Sequence, residues 1–284
     1  MWLAGARPKT LPAAIVPVAV GTAAVSSETF ILWRALFAMV VALALQVATN
    51  YANDYSDGVR GTDDDRVGPL RLVGSGAASP SAVKKAIFIS FGVAAVFGLI
   101  LSIVVNPWLL VIGAASIAAG WFYTGGDKPY GYLGLGEVFV FVFFGLVATI
   151  GSAYVQTESL SGLAAVLSVP VGVFAMALLV INNLRDREGD AEVGKNTLAV
   201  KMGDAATRSV YLVTMLGAFA LIAVTAGLTS RPGLLLGLIG LLPALPGLRA
   251  VYSGATGREL IPVLESTGKT QLVAGALMTI GLLL

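Results

Sequence analysis

Two polar stretches carry the side chains able to do chemistry. The first holds Asn50, Asn53, Asp54 and Asp57; the second holds Asn182, Asn183, Asp186 and Asp190. Each ends a long apolar run. Read as helix, Asn50, Asp54 and Asp57 stand at i, i+4 and i+7, and Asn182, Asp186 and Asp190 at i, i+4 and i+8, so each set shares one face. Carboxylates near a helix C-terminus oppose the macrodipole and repel one another. At the mouth of a membrane helix they are costlier still. Two such clusters ask for a counter-charge. Oxygen ligands of this kind suit a hard divalent cation, expected here to be Mg2+ with Mn2+ as a substitute. The basic residues interleaved with these acids and the nearby glycines are Arg60, Arg66, Arg71, Lys128 and Lys195. Metal held by aspartates and ringed by Lys and Arg is the chemistry that binds a diphosphate. The chain has no P-loop pattern, which argues against a nucleoside triphosphate site.

The rest of the composition says where these stretches sit. Of 284 residues, 57% are hydrophobic and only 12% are charged, with a mean hydropathy of +0.86. An ordinary soluble domain is about 25% charged. The chain is therefore expected to be an all-α polytopic membrane protein, partnered by the lipid bilayer and not by nucleic acid. It has no Cys and no His. That excludes a disulfide framework, a thiolate site and the usual general base, leaving carboxylates, amides, Lys/Arg, hydroxyls and a metal to do the work.

Nine apolar spans are predicted, at roughly 11–26, 29–50, 81–105, 107–123, 133–154, 160–183, 205–227, 232–251 and 268–284. Pro12 and Pro17 break the first run, so it reads as a retained helix, not a signal peptide. Ser79-Pro80 and Asn106-Pro107 read as helix-opening pairs, and Asp204 as a cap. With the N-terminus in the cytoplasm, sixteen Lys and Arg fall inside and only Arg34 and Arg231 outside. This predicts a cell-membrane protein whose long loops, 51–80, 184–204 and 252–267, and whose polar site face the cytoplasm. The glycines Gly58, Gly61, Gly68, Gly74, Gly76, Gly189 and Gly194 predict tight turns there. The two acid stretches lie four spans apart. The expected architecture is one domain of two parallel four-helix repeats, about 11–123 and 133–251, around a central cavity, with an extra helix at about 268–284.

Other candidates are single residues. Glu137 lies about one turn into the fifth span, and an acid within a span is a functional candidate. Asn182 and Asn183 double as candidates for helix–helix hydrogen bonding. Tyr51, Tyr55, Trp121, Tyr123, Tyr130 and Tyr132 form an interfacial aromatic group, one or two of which could flank a carbocation.

These stretches resemble the UbiA-type intramembrane prenyltransferases. The resemblance rests on Arg7-Pro-Lys9-Thr-Leu-Pro12, on Asn53-Asp54 through Asp63, and on Arg71-Leu-Val-Gly-Ser-Gly76. Tyr123-Thr-Gly-Gly, Lys128 through Glu137, and Asn182-Asn183-Leu-Arg185-Asp186 through Val200 complete it. The first motif departs from strict Asn-x-x-x-Asp spacing, with Gly58 where an acid is wanted. Asp57 precedes that position, and the acid that completes the motif is one of Asp63, Asp64 and Asp65. The resemblance implies transfer of a polyprenyl group from its diphosphate to an aromatic acid. The naphthoate-using branch, with 1,4-dihydroxy-2-naphthoate as acceptor and loss of CO2, is expected over 4-hydroxybenzoate. It implies metal ligands Asp54, Asp57, Asp186 and Asp190. It further implies a diphosphate site of Arg60, Arg66, Arg71, Lys128, Lys195, Asn53 and Asn183. Asn50 and Asn182 are expected to act in catalysis, Lys9 to meet the acceptor's carboxylate, and Glu137 to accept a ring hydroxyl's hydrogen bond or proton. The non-enzyme rival is a divalent-cation transporter. Such carriers usually place charge near the midplane between inverted repeats. A metal-dependent phosphatidyltransferase is disfavoured because Asp57-Gly-Val-Arg60 does not meet its signature.

Overall fold

The computed structural model describes residues 1–61 and 71–284, and among them there is no strand. Among the described residues nine main helices follow in order: α1 (Pro12–Ala24), α2 (Leu32–Val59), α3 (Pro80–Val104), α4 (Leu109–Phe122), α5 (Gly136–Thr157), α6 (Gly162–Glu192), α7 (Asp204–Thr229), α8 (Pro232–Tyr252) and α9 (Leu260–Leu283). Six of these, α2, α3, α5, α6, α7 and α8, are long and apolar enough to cross a membrane. α1 and α4 are shorter apolar helices. α9 carries Glu265 and Lys269 in its first half.

Several boundaries differ from those expected. The polar stretches are not loops: α2 continues to Val59 and α6 to Glu192, so both acid sets ride on the last turns of transmembrane helices. The expected loop at 252–267 is helical from Leu260. Ser79 opens α3 as predicted, accepting from the Ala82 N–H at 3.3 Å. Asp204 does not cap α7; it is the helix's first residue and is gripped by Arg208 one turn on, an i,i+4 pair. Hydrophobicity marks where a helix leaves the membrane, not where it ends, and polar residues of good helical propensity carry it onward.

α1 sits at the centre and packs on α2, α5, α6 and α9. Close approach needs small residues: a Cβ added at Gly145 of α5 would stand 2.5 Å from the Gly172 Cα of α6. α5 carries a π-helical segment at Phe141–Val147 beside that crossing. α4 packs on α2 and α3 but has no comparable contact with α5 among the described residues. Its outer face shows Leu110 and Val111 to the surroundings, as suits lipid.

Candidate active site

A cavity of about 280 Å³ lies between α1, α2, α4, α5 and α6. Its walls repeat at helical spacing: Ala38, Val41, Leu45, Thr49 and Asn53 from α2, and Ala175, Leu178 and Asn182 from α6. Most of the lining is apolar. The polar groups gather at the end where the acid motifs stand: Asn50, Asn53, Asn182, Tyr123 and Tyr130, with Arg7. Each motif continues its helix's cavity stripe by one or two turns. At the opposite end Arg34 donates to the Val155 carbonyl at 2.9 Å and to Glu158 at 3.0 Å, tying α2 to α5.

The first motif divides its work. Asp54 is fully buried and accepts the backbone N–H groups of Leu72 and Val73 at 2.8 and 3.0 Å, folding the following segment back onto α2. A Cβ at Gly58 would stand 2.5 Å from the Val73 side chain, so this return needs a glycine there. Asp57 faces the site. It accepts the Tyr132 hydroxyl at 2.7 Å and stands 3.6 Å from Arg71 and 3.4 Å from Lys195. Burial, and then the Asp57 charge, push the Tyr132 phenol up, so it remains a protonated donor.

The second motif is arranged differently. Arg185 grips Asp186 with two bonds of 2.7 Å and also donates to Asn182 at 2.9 Å. Asp190 stands 3.6 Å from Lys195. The Lys195 ammonium therefore lies within ion-pair reach of one carboxylate from each motif. Arg60 and Lys195 both approach the Tyr132 ring, at 5.1 and 5.2 Å from its centroid.

The remaining sequence candidates scatter. Asn53 accepts from Thr124 at 3.0 Å. Arg60 donates to the carbonyls of Thr124 and Gly126, bridging the end of α2 to the turn after α4. Asn183 donates to Glu137 at 2.9 Å, and the second oxygen of this buried Glu137 has no hydrogen-bond partner among the described residues. Asn50 donates to the Ala6 carbonyl at 2.9 Å, holding the N-terminal segment. Lys128 is exposed. Lys9 pairs with Glu265 of α9 and does not line the cavity. Arg66, Asp63, Asp64 and Asp65 lie outside the described residues. No group of three or more acidic side chains stands ready as a metal cage among the described residues. Sequence reading undervalued Tyr132, placed in an aromatic belt, and Arg7, counted as a topological charge. The signal for Tyr132 was its place two residues after Tyr130 in a glycine-bounded turn beside α5.

The UbiA prenyltransferase family profile matches residues 14–259. The chain belongs to that family. It is 48% identical, over 97% of its length and 96% of the relative's, to a Mycobacterium tuberculosis protein named 1,4-dihydroxy-2-naphthoate octaprenyltransferase. Solved structures of UbiA homologues share the fold. One from Aeropyrum pernix K1 aligns with a TM-score of 0.73 at 15% identity, covering 96% of each chain. One from Archaeoglobus fulgidus, described as bound to GPP and Mg2+, aligns with a TM-score of 0.67 at 12% identity, covering 98% of this chain and 99% of that one.

Proposed function

We propose that this UbiA-family protein transfers a polyprenyl group from polyprenyl diphosphate to 1,4-dihydroxy-2-naphthoate, with loss of CO2 and diphosphate, giving demethylmenaquinol, the reduced form of demethylmenaquinone. The observation that carries the reading is the 48% identity, over nearly the whole of both chains, to an enzyme named for that acceptor.

The chemistry of the site supports it. The acid motifs and their Lys and Arg partners form a head for the diphosphate; the apolar cavity receives the tail. The donor set fits Mg2+: Asp57 and Asp190, from separate helices, already share one cation in Lys195. We assign these two as the carboxylates that would hold it, and Asp54 and the Arg185-bound Asp186 as the residues that shape the same wall. The metal, when bound, supplies charge to offset the leaving diphosphate. Arg60, Arg71, Lys195, Asn53 and Asn183, together with Lys128 and Arg66, are the diphosphate-side residues. Tyr132 holds Asp57 in place, and Asn182 and Tyr123 line the reaction end of the cavity. The apolar walls exclude water from the allylic cation. Glu137 is assigned to the ring hydroxyl, as hydrogen-bond acceptor or base.

In the membrane all nine helices belong to one domain. Its halves, about 11–123 and 133–251, are parallel repeats, the N-terminus is cytoplasmic and the site opens to that face. Single cysteines test this in a chain with none of its own. Glu188→Cys and Ser253→Cys should react with an impermeant thiol reagent only from the cytoplasmic side, and Ser230→Cys only from the other.

The activity test uses purified protein in detergent with a labelled long-chain prenyl diphosphate, Mg2+ and either acceptor. The expected product is a prenylated naphthoquinol with one CO2 per turnover, abolished by chelator. A prenylated 4-hydroxybenzoate that keeps its carboxylate, with the naphthoate untouched, would overturn the acceptor assignment.

A further inference from the structure

The aromatic residues that line the cavity all stand on one side of it. Among the described residues they are Tyr123, Tyr130, Phe139, Phe143 and Phe144, from the end of α4, the turn after it and α5. One closed turn brings the first two together. The Gly131 N–H donates to the Tyr123 carbonyl at 3.0 Å, and a Cβ at Gly131 would stand 2.5 Å from that oxygen, so the closure needs glycine. It folds Tyr130 back on Tyr123, edge to face, with ring centroids 5.5 Å apart. Tyr130 then bridges α4 and α5 where the two helices pack little on each other. Its hydroxyl donates to the Ala119 carbonyl of α4 at 2.8 Å, and its ring stacks on Phe139 of α5 at 3.9 Å and 22°. Phe143, one turn further along α5, is also inclined 22° to Phe139, with centroids 6.0 Å apart. The Tyr130 hydroxyl is tied to backbone, so this residue contributes to the cavity wall as a ring.

Tyr123 and Tyr130 belong to the end of the cavity where Asn50, Asn53 and Asn182 stand. Toward Arg34 the lining is aliphatic, with Ala38, Val41, Leu101 and Val155. A flexible isoprenoid tail suits the aliphatic end. A fused two-ring acceptor is flat, and it has to lie at the polar end, because its ring carbon must reach the allylic carbon beside the diphosphate. Flat rings pack on other rings in offset-stacked or edge-to-face geometry, which stabilises them beyond the area buried. We infer that Tyr130 and Phe139 form the subsite for the acceptor's second ring, the one bearing neither hydroxyl nor carboxylate, and so select a naphthalene over a benzene. This deepens the proposed function and rests on it.

The test compares 1-hydroxy-2-naphthoate with 2-hydroxybenzoate, which differ only by the second ring. Their binding to the purified protein is followed by their own fluorescence, with prenyl diphosphate binding measured alongside. The parent protein should bind the naphthoate more tightly, and equal affinities would overturn the inference before any variant is made. Tyr130→Leu and Phe139→Leu keep an apolar side chain and remove a ring. Each should weaken the naphthoate about three- to tenfold, the scale of one aromatic pair. The benzoate and prenyl diphosphate should each change less than about twofold, and retained prenyl diphosphate binding reports a folded variant. Tyr130→Phe loses the bond to Ala119 but keeps the ring, so it should preserve the preference for the naphthoate. Equal weakening of both acids would make the two rings general wall. A loss that follows prenyl diphosphate would assign them to the tail. Unchanged binding of both acids with slower prenyl transfer would assign them to the allylic cation. Each of these results overturns the inference while leaving the reaction standing. Parent protein that binds neither prenyl diphosphate nor the naphthoate would instead remove the functional reading.

Discussion

The ends of α2 and α6 present the same residue types on one face and use them differently. In α2, Asp54 is committed to two backbone N–H groups 18 and 19 residues further along, while Asp57 faces the site. In α6, Asp186 is committed to the neighbouring Arg185, while Asp190 faces Lys195. Each motif therefore neutralises one acid locally and offers the other to a shared cation. A buried carboxylate without partners is costly, so the local partner offsets the cost of placing the inner acid near a membrane interior. The spacing of the acids sets which face they share; the partner of each acid sets its task.

The largest expected effects test the shared pair. Asp57→Asn and Asp190→Asn should each lower kcat/KM about 100-fold or more in the prenyl transfer assay, the scale of losing a main electrostatic stabiliser. If one of them retains full activity, the two helix ends do not contribute equally to the cation site. Asp54→Asn should act on the fold as well. An amide presents N–H toward donors, so thermal unfolding should show a loss of about 1–3 kcal/mol. Asp190→Asn should leave the melting temperature close to that of the parent. Lys195→Met removes the protein's own cation between Asp57 and Asp190. Mn2+ binding, read by electron spin resonance, should then tighten, and an unchanged affinity would mean the two carboxylates do not share one ion. Tyr132→Phe deletes one hydrogen bond to Asp57 and keeps the ring under Arg60 and Lys195, for an expected cost of about 1 kcal/mol in transition-state stabilisation. Lys9→Ala should do least, because its partly exposed pair with Glu265 contributes at most about 1 kcal/mol to stability. The acceptor's KM should stay within about threefold.

Composition and periodicity alone determined the all-helical membrane class. They also determined the two acid-bearing faces, since that property follows from residues three and four apart on one helix. The Ser79 cap was legible for the same reason: its bond closes within one turn. The helix ends beyond the apolar runs were not, because hydropathy reports lipid contact and not backbone hydrogen bonding. Only the tertiary structure decided which acid turns inward. Asp54 finds its donors across a chain reversal, and Asp57 and Asp190 meet through a lysine 138 residues from the first of them. It also separated Arg7 from Lys9. Two cations in one short basic stretch look alike in sequence, yet a single left-handed residue, enforced by amides on a neighbouring helix, sends one into the cavity and the other to the surface. Such choices depend on which hydrogen bonds can be satisfied once distant segments are packed, and no local pattern of residues encodes that.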